Sequence, residues 1–208
     1  MEEKPVKMGW IMGWAVPEAW FATQVRMGFA QDEHVFVEPT DLALDELERR
    51  GPFDRVVGYS LGAHLLLAEA ARVNALGAKV TLLAPFPAFS SEEGMGGRVA
   101  RTQVKYLARW VRRDREAALA DFYTRAGLEV TPEMASGISS ETLAQGLVRL
   151  EQGRVEPSAT DGWGIFAGDQ DGLLDAVVLW RHLPSLIVVS GGTHHPAALL
   201  RAWKEEGL

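Results

Sequence analysis

The chain has 208 residues, 47% of them hydrophobic and 24% charged, and a formal net charge of −7; this is the balance of one soluble globular domain, and its sign argues against a nucleic-acid partner. It contains no cysteine, which excludes disulfides, thiolate metal sites and a cysteine nucleophile. No apolar stretch approaches the roughly 18 residues of a membrane span and the N-terminus lacks a signal-peptide pattern, so a cytoplasmic protein is expected.

Short apolar runs then alternate with helical patterns. Residues 6–12 predict a strand ending at Gly13-Trp14, and residues 35–37 a second. Residues 41–50 begin acidic, end basic and meet Gly51-Pro52, the signals of a helix and its stop. A third strand is expected over 55–58, an Ala/Leu-rich helix over 61–76 closed by Gly77, and a fourth strand over 80–84 closed by Pro85. From about 86 to 160 the sequence shows no convincing strand, only helical patterns separated by Ser, Gly and Pro, over a length too great for a loop. A strand at 164–167, a helix at 173–180, a strand at 186–190 and a helix at 196–206 complete the set. Unbroken β-rich runs suit strands buried on both faces of a parallel sheet. The expected architecture is α/β: an open, mostly parallel six-stranded sheet with helices on both faces, built from residues 1–86 and 161–208, with a helical cap at 87–160.

The third strand runs into Gly58-Tyr59-Ser60-Leu61-Gly62 and then into a helix. Strand, sharp turn and helix are the context that gives Gly-x-Ser-x-Gly its chemistry: the serine sits on a strained turn, and its small neighbours let strand and helix approach. The helix N-terminus behind Ser60 offers N–H groups to an oxyanion. A serine needs a base and a group that orients the base, and after such an elbow the order is serine, acid, histidine. Only His194 and His195 follow the cap in a suitable loop; His194 is preferred and His195 is the second choice. His64 is expected to pack or cap within its helix, and His34 and His182 to sit at element edges. For the acid, Asp171 lies in the loop after the fifth strand, with Asp169 as competitor and Asp175 expected as an exposed or capping charge of the next helix. Leu61 N–H and Trp14 N–H, with Ala15 behind it, are the candidate oxyanion donors.

GWAVPEAWF after the first strand, VGYSLGAHLLL, REAALADFY in the cap, GDQD and GGTHHP together resemble the α/β-hydrolases, and more narrowly the pimeloyl-acyl-carrier-protein methyl ester esterases of biotin synthesis. The broad likeness covers nearly the whole chain. It places Ser60, Asp171 and His194 on the family's triad, and Trp14 and Leu61 on its oxyanion-hole positions. It implies a serine carboxylesterase, without metal or organic cofactor, acting on the methyl ester of a carrier-bound pimeloyl chain. The chain departs from the pattern in lacking the usual first two strands, in Met12 where many relatives have histidine, and in Gly-Thr-His-His in the last loop.

GGRVARTQVKYLARWVRRDR carries Arg98, Arg101, Lys105, Arg109 and Arg112 at steps of 3, 4, 4 and 3. On one helix these share a face, opposite Val99, Ala100, Val104, Tyr106, Leu107, Trp110 and Val111. Five like charges on an acidic protein suit either pairing with carboxylates elsewhere or docking to an acidic partner; the resemblance implies an acyl carrier protein. Membrane attachment is disfavoured. Two other functions share the fold: a general short-chain carboxylesterase or thioesterase, and a non-catalytic ligand-binding protein.

Overall fold

The computed structural model describes residues 4–207; the expected core's outermost positions, 1–3 and 208, lie outside the described residues. Six parallel strands form the sheet: β1 (Lys7–Ile11), β2 (Glu33–Val37), β3 (Arg55–Tyr59), β4 (Lys79–Leu83), β7 (Gly164–Gly168) and β8 (Leu186–Val189). Their order is β2-β1-β3-β4-β7-β8. The central strands are apolar without alternation because both faces are covered: β7 is buried along its whole length, and β1, β3 and β4 at four of five positions each.

Six of the helices lie between or beyond these strands: α1 (Glu18–Gly28), α2 (Ala43–Arg50), α3 (Leu61–Ala68), α4 (Ala70–Ala75), α8 (Ala176–His182) and α9 (Pro196–Glu206). The chain steps one way from β1 to β2 and the other way thereafter, so right-handed crossovers put α1 on one face and α2, α3, α4 and α8 on the other. α9 packs on α1. Between sheet and α1/α9, Trp10 is fully buried, edge-on to Phe21 (5.7 Å) and Trp203 (5.9 Å) and stacked on Phe36. Truncating such an aromatic costs about 3–5 kcal/mol.

Between β4 and β7 the chain forms β5 (Ala88–Ser90), β6 (Gly96–Val99), α5 (Arg101–Arg113), α6 (Arg115–Ala126) and α7 (Ser140–Gln152). β5 and β6 pair as a small parallel sheet, which corrects the expectation of a segment without strands. These strands are only three and four residues long and Gly96-Gly97 opens the second, so neither has a run that a periodicity argument can detect.

Three further elements depart from expectation. α1 was not foreseen, although Pro17 before Glu18 is a helix-start signal. The helix expected over 61–76 is interrupted at Glu69 (φ −114°, ψ 26°) into α3 and α4. The helix expected over 173–180 begins only at Ala176, because Leu173 and Leu174 N–H groups are bound by Asp171 and Asp175 supplies the N-cap. Among the described residues, no helix is long and apolar enough to cross a membrane.

Candidate active site

The direction of the chain reverses across the sheet at β1 and β3, which are neighbours, and open α/β sheets hold their ligands in the crevice at such a point. The loop after β1 carries Trp14 and the turn after β3 carries Ser60. At Ser60 the backbone has φ 53° and ψ −113°, and α3 starts at the next residue. Close approach explains the glycines: a Cβ at Gly62 would lie 2.0 Å from the Ile11 carbonyl oxygen, and one at Gly58 would lie 2.6 Å from Ala63 Cα. Ser60 N–H is fixed by donation to Leu83 O at 2.9 Å. Leu61 is the first residue of α3, so its N–H has no acceptor within the helix.

The structure brings Ser60, His194 and Asp171 into one hydrogen-bonded line. His194 Nε2 is 3.0 Å from Ser60 Oγ, and His194 Nδ1 is 2.7 Å from Asp171 Oδ2. Asp171 Oδ1 accepts from Leu173 N–H (2.8 Å) and Leu174 N–H (3.1 Å). A carboxylate so placed only accepts, so His194 carries its hydrogen on Nδ1 and turns the Nε2 lone pair to the serine hydroxyl. Asp171 is 0% exposed, His194 2% and Ser60 8%, so exposure rises along the line from the sealed acid to the serine.

Two contacts not foreseen from the sequence hold the histidine loop. Tyr59 Oη donates to His194 O at 2.8 Å. Burial, helped by the Asp171 charge, pushes the Tyr59 phenol well above its usual range, so it stays a donor. The acid and histidine loops also touch: a Cβ at Gly168 would stand 2.1 Å from Gly192 O, while Gln170 N–H donates to that same oxygen at 2.8 Å. Tyr59 is the variable residue of the Gly-x-Ser motif, and nothing local marks its partner 135 positions away.

The other candidates have different work. Asp169 Oδ1 accepts from Gly191 N–H (2.8 Å) and braces the two loops. His195 is the N-cap of α9, accepting from Ala197 N–H, and lies edge-on to Trp20. His64 is buried, stacks on Phe86 and donates from Nδ1 to Phe86 O (3.0 Å). His34, expected as an ordinary edge residue, is half-buried and bridges Trp10 Nε1 and Phe29 O.

The Trp14 loop is held from the segment between β4 and β7. Trp14 Nε1 donates to Leu143 O of α7 (2.9 Å), its ring meets Phe122 edge-on at 4.6 Å, and Tyr123 Oη of α6 donates to Ala15 O (2.7 Å). Ala15 itself has φ 57°. A cavity of about 560 Å³ has an apolar wall that includes Phe89, Leu107, Trp110, Phe122, Leu150 and Leu173. Phe122 and Leu173 join it to the site, since one packs on Trp14 and the other's N–H holds Asp171.

The basic stripe is not one helical face. Arg98 lies on β6, before α5 begins at Arg101, and Val99 and Ala100 also precede the helix. Arg101 pairs with Glu93 and Lys105 with Glu151 (3.5 Å). Among the described residues Arg109, Arg112 and Arg113 have no ion pair. Tyr106, expected on the inner face, is 56% exposed and stands beside Trp110.

No protein-family model matches this chain, and no curated protein matches its sequence. Its fold is widely shared. An esterase from Exiguobacterium antarcticum superposes with a TM-score of 0.70 at 14% identity, over 97% of this chain and 90% of that one. A thermophilic esterase from Thermogutta terrifontis gives 0.64 at 14% identity over 97% and 89%, and an enol-lactonase from Burkholderia xenovorans 0.66 at 13% over 99% and 90%. The chain therefore has the α/β-hydrolase fold, and its Ser-His-Asp line starts on a strand–turn–helix elbow.

Proposed function

We propose that this chain is a serine hydrolase that cleaves a carboxylic ester through an acyl-enzyme on Ser60. The observation that carries the reading is the buried line from Ser60 Oγ through His194 to Asp171, at 3.0 and 2.7 Å, on a positive-φ elbow. His194 Nε2 takes the hydroxyl proton as Ser60 Oγ attacks the ester carbonyl carbon, while Asp171 stabilises the imidazolium. The N–H groups of Leu61 and Trp14 hold the tetrahedral oxyanion. His194 then protonates the departing alcohol, and water, activated by the same imidazole, releases the acid. Residues 87–160 serve as the cap over this core, and the cavity of about 560 Å³ takes an apolar part of the substrate.

The narrower reading is the methyl ester of a pimeloyl chain on an acyl carrier protein. The sequence resemblance and the unpaired cations at the end of α5 support it. The names of the structural neighbours favour a broader ester or lactone range. Intact-mass labelling with a fluorophosphonate tests the shared chemistry. One adduct on the wild type, lost in Ser60→Ala, is the expected result; a folded wild type that takes no label would leave a ligand-binding protein on this fold.

A further inference from the structure

Arg98, set apart from the helix it was expected to join, stands instead against the loop that carries Asp171. β6 runs antiparallel to that loop: Arg98 N–H donates to Leu173 O (2.9 Å), Asp175 N–H donates to Gly96 O (2.7 Å), and Gly97 and Leu174 form a bridge. The same leucines turn their own N–H groups to Asp171 Oδ1. The Arg98 side chain closes the arrangement. Its Nη1 donates to the main-chain oxygen of Asp171 (3.0 Å) and its Nη2 to Asp175 Oδ2 (3.3 Å), while Asp175 Oδ1 caps α8. One guanidinium thus spans the two ends of the 171–175 loop.

We propose that Arg98 is the positioning residue of the triad acid, fixing the loop geometry in which Asp171 meets His194. The assignment rests on the serine-hydrolase reading. A planar fork is needed because two acceptors on different residues must be held at once, which a lysine ammonium on a flexible stem does poorly. A displacement of the carboxylate by a fraction of an ångström acts on the chemical step, not on substrate capture. Arg98 also borders the cavity of about 560 Å³, so a rival role, gripping substrate or partner, has a distinct signature in KM.

The test measures kcat and KM on p-nitrophenyl acetate for wild type, Arg98→Gln and Arg98→Lys, and repeats Arg98→Gln in an Asp171→Asn background. Arg98→Gln should lower kcat about 10- to 100-fold with KM within about twofold, and Arg98→Lys should restore only part of it. In Asp171→Asn the further loss should vanish, because Arg98 acts through that carboxylate. Unchanged kcat, a raised KM alone, full rescue by lysine, or an equal loss in both backgrounds overturns the assignment. If Arg98→Gln fails to fold by thermal melting, the lysine variant in both backgrounds carries the comparison. A wild type without Ser60-dependent turnover removes the triad reading itself, an outcome distinct from an active enzyme indifferent to Arg98.

Discussion

The backbone at Ser60, φ 53° and ψ −113°, lies where a β-carbon is crowded, and such a residue costs on the order of 1–3 kcal/mol that the surrounding fold must supply. Replacing it by glycine or alanine removes the same hydroxyl, so the pair isolates the strain. Glycine is ordinarily the less stable of the two by about 0.5–1 kcal/mol; here Ser60→Gly should exceed Ser60→Ala by about 1 kcal/mol in urea unfolding. The opposite order would mean an unstrained turn. A second residue-scale expectation concerns pH. Burial lowers the His64 imidazole below its usual range, against the pull of the Phe86 carbonyl, and His195 shifts the same way through burial. Well above pH 6.5 both histidines are neutral folded and unfolded, and nothing is lost. As pH falls below that value the unfolded chain takes up protons first, so stability declines. His64→Gln, which keeps a donor for Phe86 O, should flatten the fall in urea midpoint between pH 6.5 and 5; an unchanged slope would exclude His64 as its source.

At the scale of elements, the loop after β1, proposed to supply an oxyanion donor, depends on helices far along the chain. Tyr123 of α6 is buried and its hydroxyl satisfies the carbonyl of Ala15. Tyr123→Phe leaves that buried acceptor unpaired, at about 1–3 kcal/mol of stability. It should also lower kcat on small esters about tenfold by loosening the neighbouring Trp14 N–H; full activity would separate this loop from the chemistry. The same dependence explains what could be read in advance. The six strands, α9 and the Ser60 turn announce themselves through local patterns: continuous Val/Leu/Ile runs, Pro at a helix start, glycines two residues to either side of the serine. The preference for His194 over His195 and Asp171 over Asp169 rests on order and loop position; in the structure His195 and Asp169 are engaged as a cap and a brace. The short β5 and β6 and the break at Glu69 leave no periodic trace, and the Arg98 fork is fixed by partners more than 70 positions away, so none of the three was legible.

For the whole molecule, a net charge of −7 surrounds a local excess of cations at the end of α5, where Arg109, Arg112 and Arg113 stand without ion pairs among the described residues. If an acidic carrier docks there, Arg109→Glu with Arg112→Glu should lower kcat/KM for a carrier-linked ester about tenfold and flatten its salt dependence, while p-nitrophenyl acetate is turned over as before. Equal kinetics on both substrates would favour a general esterase. The charges are confined to one helix, so the double variant leaves the sheet and the Ser60 elbow in place.

The strand order β2-β1-β3-β4-β7-β8 has a further consequence, for the order in which the molecule is made. After β2, each new strand joins the same growing margin of the sheet. A chain that adds its strands in this order lays the sheet down from one side, and Ser60 N–H meets its acceptor, Leu83 O, once β4 is in place. His194 arrives 134 residues after Ser60, in the loop after the last strand. The line from Ser60 through His194 to Asp171 closes only when that final margin is laid down, so a chain cut short before it would carry Ser60 and Asp171 without the histidine that joins them.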